Sequence, residues 1–518
     1  MSHPRFASSR RRLACGSGIA LALAALSTPI AAQLIQIKTL PIADGDQWRI
    51  FPSANAGMAD VSIALRDSLH DPFVNPAKAS RLSPAGNALV FGSPTFYSVS
   101  KNAGGAQTLP LGAVGRTGSM FGAVAIALQQ IDESQPATQF FPPQLFAADG
   151  SVVPQTTPSR RNRYAFASLG RLLSRSNVAV AGSVMWSGLN NVDGVELLYA
   201  GSAGIRQHGS DVDARLGVTK DWPSRGGRGA RTLEAILLHD RFDMTHDVTW
   251  PDEVWNPNTG SFVQRARVDH NLDRTETWGL HLAYDQPLAD SGWRVGAIVT
   301  GNLASHPKLP DYQIAQVSVI PWDPGHSGAY DLGLGISKVL GPTTFGVDAI
   351  YEPIVTHTWG EAHGAIKTPS GGTIPDGGKT TENRFHFSNA ILRAGVGHEL
   401  QLGTEQRLRV DLGTSMRSIS YTLDQLDHTS DDARHLDESW IEWTRTWGLR
   451  LHFTDLELRY SGRRSSGTGR PGVFSDGGVV FATAARDGSN ILAAPSGPLT
   501  LTGVAVTTHQ VSVSLPIH

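Results

Sequence analysis

Tyr330-Asp331-Leu332-Gly333-Leu334-Gly335-Ile336-Ser337 alternates apolar residues with small or polar ones. After the turn Leu340-Gly341-Pro342-Thr343 the alternation resumes, with Phe345, Val347, Ala349 and Tyr351 on one face and Gly346, Asp348 and Glu352 on the other. Successive strand side chains point to opposite faces, so each run is a ribbon with one greasy and one wet side. Similar runs recur at Val212 to Val218, Trp278 to Tyr284, Trp293 to Val299, Leu392 to Leu402, Leu408 to Leu412, Leu449 to Leu458 and Val511 to Ile517. In Trp278, Leu280, Leu282 and Tyr284 aromatic residues bracket aliphatic ones, the order expected where a strand crosses between two membrane interfaces.

Short connections, such as Leu173 to Ser176, Gly341-Pro342 and Thr454-Asp455, alternate with long polar ones. The long ones are Asp132 to Arg161, Leu189 to Gly209, Asp243 to Asp273, Ser305 to Ser327, Glu361 to Glu382, Asp424 to Asp437 and Gly462 to Gly503. A soluble sandwich has no reason for that asymmetry, whereas an outer-membrane barrel has short periplasmic turns and long outer loops. The expected fold is all-β: a transmembrane antiparallel β-barrel of about 14 strands over 118–518. Parity then assigns 33–117 to an N-terminal periplasmic or hatch segment, a plug ahead of the wall.

The 518 residues are 40% hydrophobic and 17% charged, with mean hydropathy −0.16. No stretch after the N-terminus has the ~18 consecutive apolar residues of a membrane helix, which excludes a bundle of such helices but not a barrel, in which only every second wall residue is apolar. A net charge of −2 with no basic stripe points away from nucleic acid. Arg10 to Arg12, the apolar Ile19 to Leu26 and Ile30-Ala31-Ala32 before Gln33 read as an export signal over 1–32, placing the mature chain in the bacterial outer membrane. Cleavage there would remove Cys15, the only cysteine, leaving no disulfide or thiolate metal site.

Within the N-terminal part stand Gly57-Met58-Ala59-Asp60, Ala64-Leu65-Arg66-Asp67 and Asp71-Pro72-Phe73-Val74-Asn75-Pro76-Ala77. A Gly-Met segment, an Ala-Leu stretch, then Asp-Pro and Asn-Pro-Ala ahead of a barrel resembles the long-chain fatty acid transporter family and related secretion-associated barrel proteins. The resemblance implies a hatch that blocks the lumen, with Phe73, Asn75, Pro76 and Ala77 as its binding residues. It also implies passive uptake of hydrophobic, fatty-acid-like small molecules. Lys78 stands where that family usually has glycine. Read from the residues alone, Asn75-Pro76 also marks an ordinary turn.

Two other classes stay open: a structural or secretion-associated barrel with a partner protein, and an outer-membrane hydrolase. Gly325-His326-Ser327-Gly328-Ala329 approaches a nucleophile elbow, but it lacks the last glycine and opens a strand instead of joining strand to helix. No catalytic residue, cofactor or metal site is therefore expected. Asp211, Asp213, Arg215, Arg393, Glu399, Arg409, Asp411, Asp455, Glu457 and Arg459 read as a paired or solvated interior. The acidic stretch from His428 to Glu438 reads as a hydrated outer loop, and outer-membrane lipid and lipopolysaccharide are the expected surroundings. Trp250, Trp255 and Phe262 are expected to pack within one outer loop.

Overall fold

The structure, a computed structural model, describes residues 34–43, 45–82, 88–101, 103–132, 145–146, 152–153, 160–195, 204–222, 230–258, 260–288, 292–307, 310–313, 316–319, 324–362, 364–471, 491–492 and 501–517. The expected export signal and parts of several outer connections lie outside them.

Sixteen antiparallel strands form the wall. They are β1 (Ala88–Gly92 and Thr95–Val99, interrupted at Ser93-Pro94), β2 (Gly105–Thr117), β3 (Met120–Asp132), β4 (Arg160–Leu173), β5 (Val178–Leu189) and β6 (Gly204–Trp222). Then come β7 (Arg231–Asn256), β8 (Ser261–Leu288), β9 (Trp293–Ser305), β10 (Gly325–Leu340) and β11 (Thr343–Glu361). The last five are β12 (Lys379–Gln401), β13 (Arg407–Asp427), β14 (Asp432–His452), β15 (Glu457–Pro471) and β16 (Leu501–Ile517). Each pairs with its chain neighbours, and β1 pairs with β16 from Ala88↔Ile517 to Val99↔Val506, so the sheet closes without an edge. Closure leaves no open sheet edge, which a sheet in lipid requires.

The wall turns the usual polarity of a folded chain inside out. Val124, Ile126, Leu128 and Leu334 are exposed on the outer face, while Gln129, Asn162, Asp211, Asp348 and Asn389 are buried on the inner one. Trp278, Leu280, Leu282 and Tyr284 all face outward, as the alternation predicts. That arrangement suits lipid outside and a polar lumen inside. The two-residue connections after β2 and β10 place Gly118 (φ +58°) and Gly341 (φ +56°) in the left-handed region, open to residues without a Cβ penalty.

Two expectations need correction. The strand count is sixteen, not about fourteen, because Ala88–Val99 and Gly105–Thr117 belong to the wall. Ser93-Pro94 interrupts the first, and Pro110, Gly112 and Gly115 dilute the second, so neither shows a sustained apolar face. Two of the expected long loops are mainly strand. β7 and β8 stay paired from Thr232↔Asp285 out to Asn256↔Ser261, and β13 and β14 pair as far as Asp427↔Asp432. Beyond the bilayer both faces of a ribbon meet water, so the ladder continues where alternation stops.

Candidate functional site in the barrel lumen

Residues 34–82 contain little regular structure: 3-10 turns at Ala56–Met58 and Pro76–Arg81 and a single helical turn at Asp71–Val74. Side chains replace the missing ladder. Asp67 Oδ1 accepts from the amides of Ala54 (2.8 Å), Leu69 (3.1 Å) and His70 (3.0 Å), and Oδ2 accepts from Asn55 N and Ser53 Oγ. Burial alone would raise this carboxyl. The His70 ring, Ser53 and those amides outweigh burial and hold it below the ordinary value. Asp60 behaves likewise: against burial, the guanidinium of Arg49 draws it down to about 2.

Phe73 lies flat on Phe51, centroids 4.0 Å apart, and edge-on to Phe91 of β1 and Phe166 of β4. Asn75 Oδ1 accepts from Ala77 N at 3.1 Å, capping the 3-10 turn whose first residue, Pro76, has no amide hydrogen to satisfy. A Cβ on Gly217 of β6 would overlap Asn75 Oδ1, so the wall leaves room for this turn. Lys78 reaches Asp71 at 3.0 Å and Glu234 of β7 at 2.9 Å, while Arg81 reaches Asp221 of β6 at 3.2 Å. Phe73, Asn75, Pro76 and Ala77 thus bind the segment to β1, β4 and β6; the cavity beyond it is lined by other residues.

A second contact surface was not foreseen. Gly296, Gly335, Gly346, Gly395, Gly413 and Gly448 stand on six consecutive strands, β9 to β14, with Gly296↔Gly335, Gly346↔Gly395 and Gly395↔Gly413 in register. Residues 57–63 cross them. A Cβ at Gly395 would come within 2.6 Å of Met58 O, and one at Gly413 within 2.5 Å of Ala59 N. Wall side chains supply the hydrogen bonds. Thr446 Oγ1 accepts from Ala59 N and donates to Gly57 O, Asp348 Oδ2 accepts from Ser62 N and Ile63 N, and Ser337 Oγ donates to Ala64 O. Farther out, Asn302 accepts from Ile35 N, and Arg417 and Tyr421 donate to Gln36 O and Thr39 O.

Between segment and wall lies a cavity of about 720 Å³. Ile298, Ile350 and Ile391 form an apolar patch on its wall side: Gly333 faces both Ile298 and Ile350, and Ile350 faces Ile391. Arg393, two residues along β12, also lines it. Most interior charges are neutralised: Arg215 by Asp213, Arg409 by Asp411 (2.7 Å), Arg417 by Glu352 (2.9 Å) and Arg459 by Glu457. Among the described residues Arg393 makes no direct hydrogen bond or ion pair, but it lies in the field of Asp348, Asp331 and Asp60. Its cross-strand neighbour is Asp348, whose Oδ2 is engaged by the amides of Ser62 and Ile63.

The remaining sequence candidates have local partners. Ser327 Oγ donates to Thr356 Oγ1 at 2.6 Å across the β10–β11 ladder. His435 pairs with Asp424 (2.7 Å), and Trp255 meets Phe262 edge-on at 5.2 Å. The side chain of Trp250 lies outside the described residues. Among those described, no group of three or more His, Cys, Asp or Glu is placed to hold a metal ion.

A closed antiparallel wall, apolar outside and polar within, is the architecture of bacterial outer-membrane β-barrel proteins, and this chain is one. Its neighbours among solved structures are outer-membrane barrels. They include a FadL homologue of Pseudomonas aeruginosa (11% identity, 92% of this chain and 99% of that one, TM-score 0.40). Also similar are CdiB from Escherichia coli (12%, 83% and 63%, TM-score 0.38) and the FrpB iron transporter from Neisseria meningitidis, F3-3 variant (10%, 86% and 83%, TM-score 0.32). No protein-family model matches the sequence, and no curated protein matches it.

Proposed function

We propose that this barrel takes up hydrophobic or amphipathic small molecules, fatty-acid-like in character, and that residues 34–82 are its hatch. The reading rests on the cavity, in which the patch Ile298, Ile350 and Ile391 adjoins Arg393, a guanidinium that lies in the field of Asp348 and Asp331 with no direct ion pair among the described residues. An apolar patch beside a cationic group suits the tail and head of an amphipathic anion, within a lining that elsewhere carries charged residues such as Glu234, Asp331, Glu352 and Arg417. Such a ligand enters between the outer loops, rests in the cavity, and leaves for the periplasm when the segment withdraws from the glycines of β9 to β14.

A disulfide tests the hatch directly. Outside Cys15 the chain has no cysteine, and a Cβ on Gly346 would stand 3.5 Å from Val61 Cβ, within the range a disulfide bridges. In Val61→Cys/Gly346→Cys, uptake of a labelled long-chain carboxylate should stop on oxidation and return on reduction. Equal uptake in both states overturns the hatch and favours a barrel that works through a protein partner.

A further inference from the structure

The outer face of β4 reads Arg161, Arg163, Ala165, Ala167, Leu169, Arg171, Leu173, all exposed, while Asn162, Tyr164, Phe166 and Gly170 are buried on the inner face. From Arg163 to Arg171 the outward residues are apolar. Eight residues span roughly 26 Å along a strand, the height of an apolar band once tilt is allowed. Arg171 lies near the short β4–β5 turn, on the side of the chain ends. Arg163 and Arg161 therefore sit at the opposite rim, where the outer leaflet's headgroups begin.

Long cations at a membrane rim often serve only to reach water, but these two have a particular setting. Neither guanidinium has a hydrogen-bond acceptor or carboxylate partner among the described residues. Arg161 stands opposite Gln130 and Arg163 opposite Leu128 of β3. On the other side Arg163 faces Gly188 of β5, and the ring of Trp186 lies over that glycine. Asp132, exposed at the outer end of β3, is the outward carboxylate on β3 to β5 among the described residues, and it forms no ion pair. Two guanidiniums on one face, about two residues apart, thus stand without a carboxylate partner among the described residues, above an acyl-compatible floor of Leu128, Ala165 and Trp186. Guanidinium forks match phosphate oxygens, and the phosphates of this leaflet belong to its glycolipid.

We propose that Arg161 and Arg163 form a binding site for a phosphate of lipopolysaccharide on the outer wall of β3–β5, separate from the lumen. Binding of lipid A, and of the same lipid A with its phosphates removed, to the folded protein in detergent tests this. Wild type should prefer the phosphorylated lipid by about tenfold or more. Arg161→Gln/Arg163→Gln should lose that preference, and Arg171→Gln, at the other rim, should keep it. Equal binding of the two lipids by wild type overturns the site, a measurement that needs no variant to fold. An unchanged preference in the double variant, or an equal loss in Arg171→Gln, also overturns it. Full competition by inorganic phosphate would overturn the lipid assignment in favour of a free-anion site.

Discussion

One carboxylate oxygen of Asp348 accepts from two consecutive backbone amides, Ser62 at 2.8 Å and Ile63 at 3.3 Å, across the lumen surface of β11. The side chain is fully buried, and its charge faces the donors of a segment far away in sequence. Hydrogen bonds to a charged group contribute about 1.5–3 kcal/mol. Asp348→Ala should weaken docking of residues 57–64 by about that amount. Protease cleavage within 57–64 of the folded barrel should rise accordingly, while the barrel's heat-modified mobility stays unchanged.

The glycine contacts predict a different effect. Gly395→Val keeps strand propensity but places atoms where Met58 O and Cβ now lie. The segment must lift, so ion conductance through reconstituted barrels should increase. Leu392→Val, three residues away on the outward face, should leave conductance unchanged.

Acid should loosen the segment in two stages. Burial pushes the His70 imidazole below its ordinary value, although Asp67, Asp60 and Asp71 pull it up. A base held neutral in the folded state is protonated first in the unfolded one, so stability is lost as pH falls below ~6.5. Asp60 titrates at about 2 against 3.8 unfolded, so its contribution is present above ~3.8 and is lost as pH falls through about 2. Protease protection measured against pH should show both stages. His70→Asn should remove the first, and Asp60→Asn should weaken the second, to which Asp67 also contributes.

Lys78 tests the buried charges at the periplasmic end. Lys78→Met leaves Asp71 buried without its cation, a change that costs about 3–5 kcal/mol. Adding Asp71→Asn should restore much of the loss. A double-mutant cycle read by urea-dependent protease protection should therefore show strong coupling, and strict additivity would contradict the pairing.

Alternation was enough to read β10 and β11 residue by residue, because inside a bilayer the outer face must be apolar and the inner one polar. The pattern faded where that contrast fades. In β2, Leu109 and Leu111 do point outward, but Pro110 and Gly112 between and after them leave only a trace. In the outer parts of β7 and β8 water meets both faces, so the sequence resembles a loop. The site divides in the same way. Asn75-Pro76-Ala77 was legible as a local turn because its cap involves residues two apart. The track from Gly296 to Gly448 was not, since each glycine sits in its own strand and acquires meaning only from cross-strand register. Arg393 was placed inside by parity, but its setting beside Asp348 and Asp331 follows only from cross-strand register.

The kinked first strand has a consequence for biogenesis. Ser93 and Ser512 hydrogen-bond across the seam at 2.8 Å while standing 419 residues apart in the chain. A contact of such range is the most costly in chain entropy, so the seam forms late. Residues 34–82 immediately precede that strand and lie within the ring it closes. The segment is therefore enclosed by a seam whose two halves, β1 and β16, come from opposite ends of the wall's own sequence.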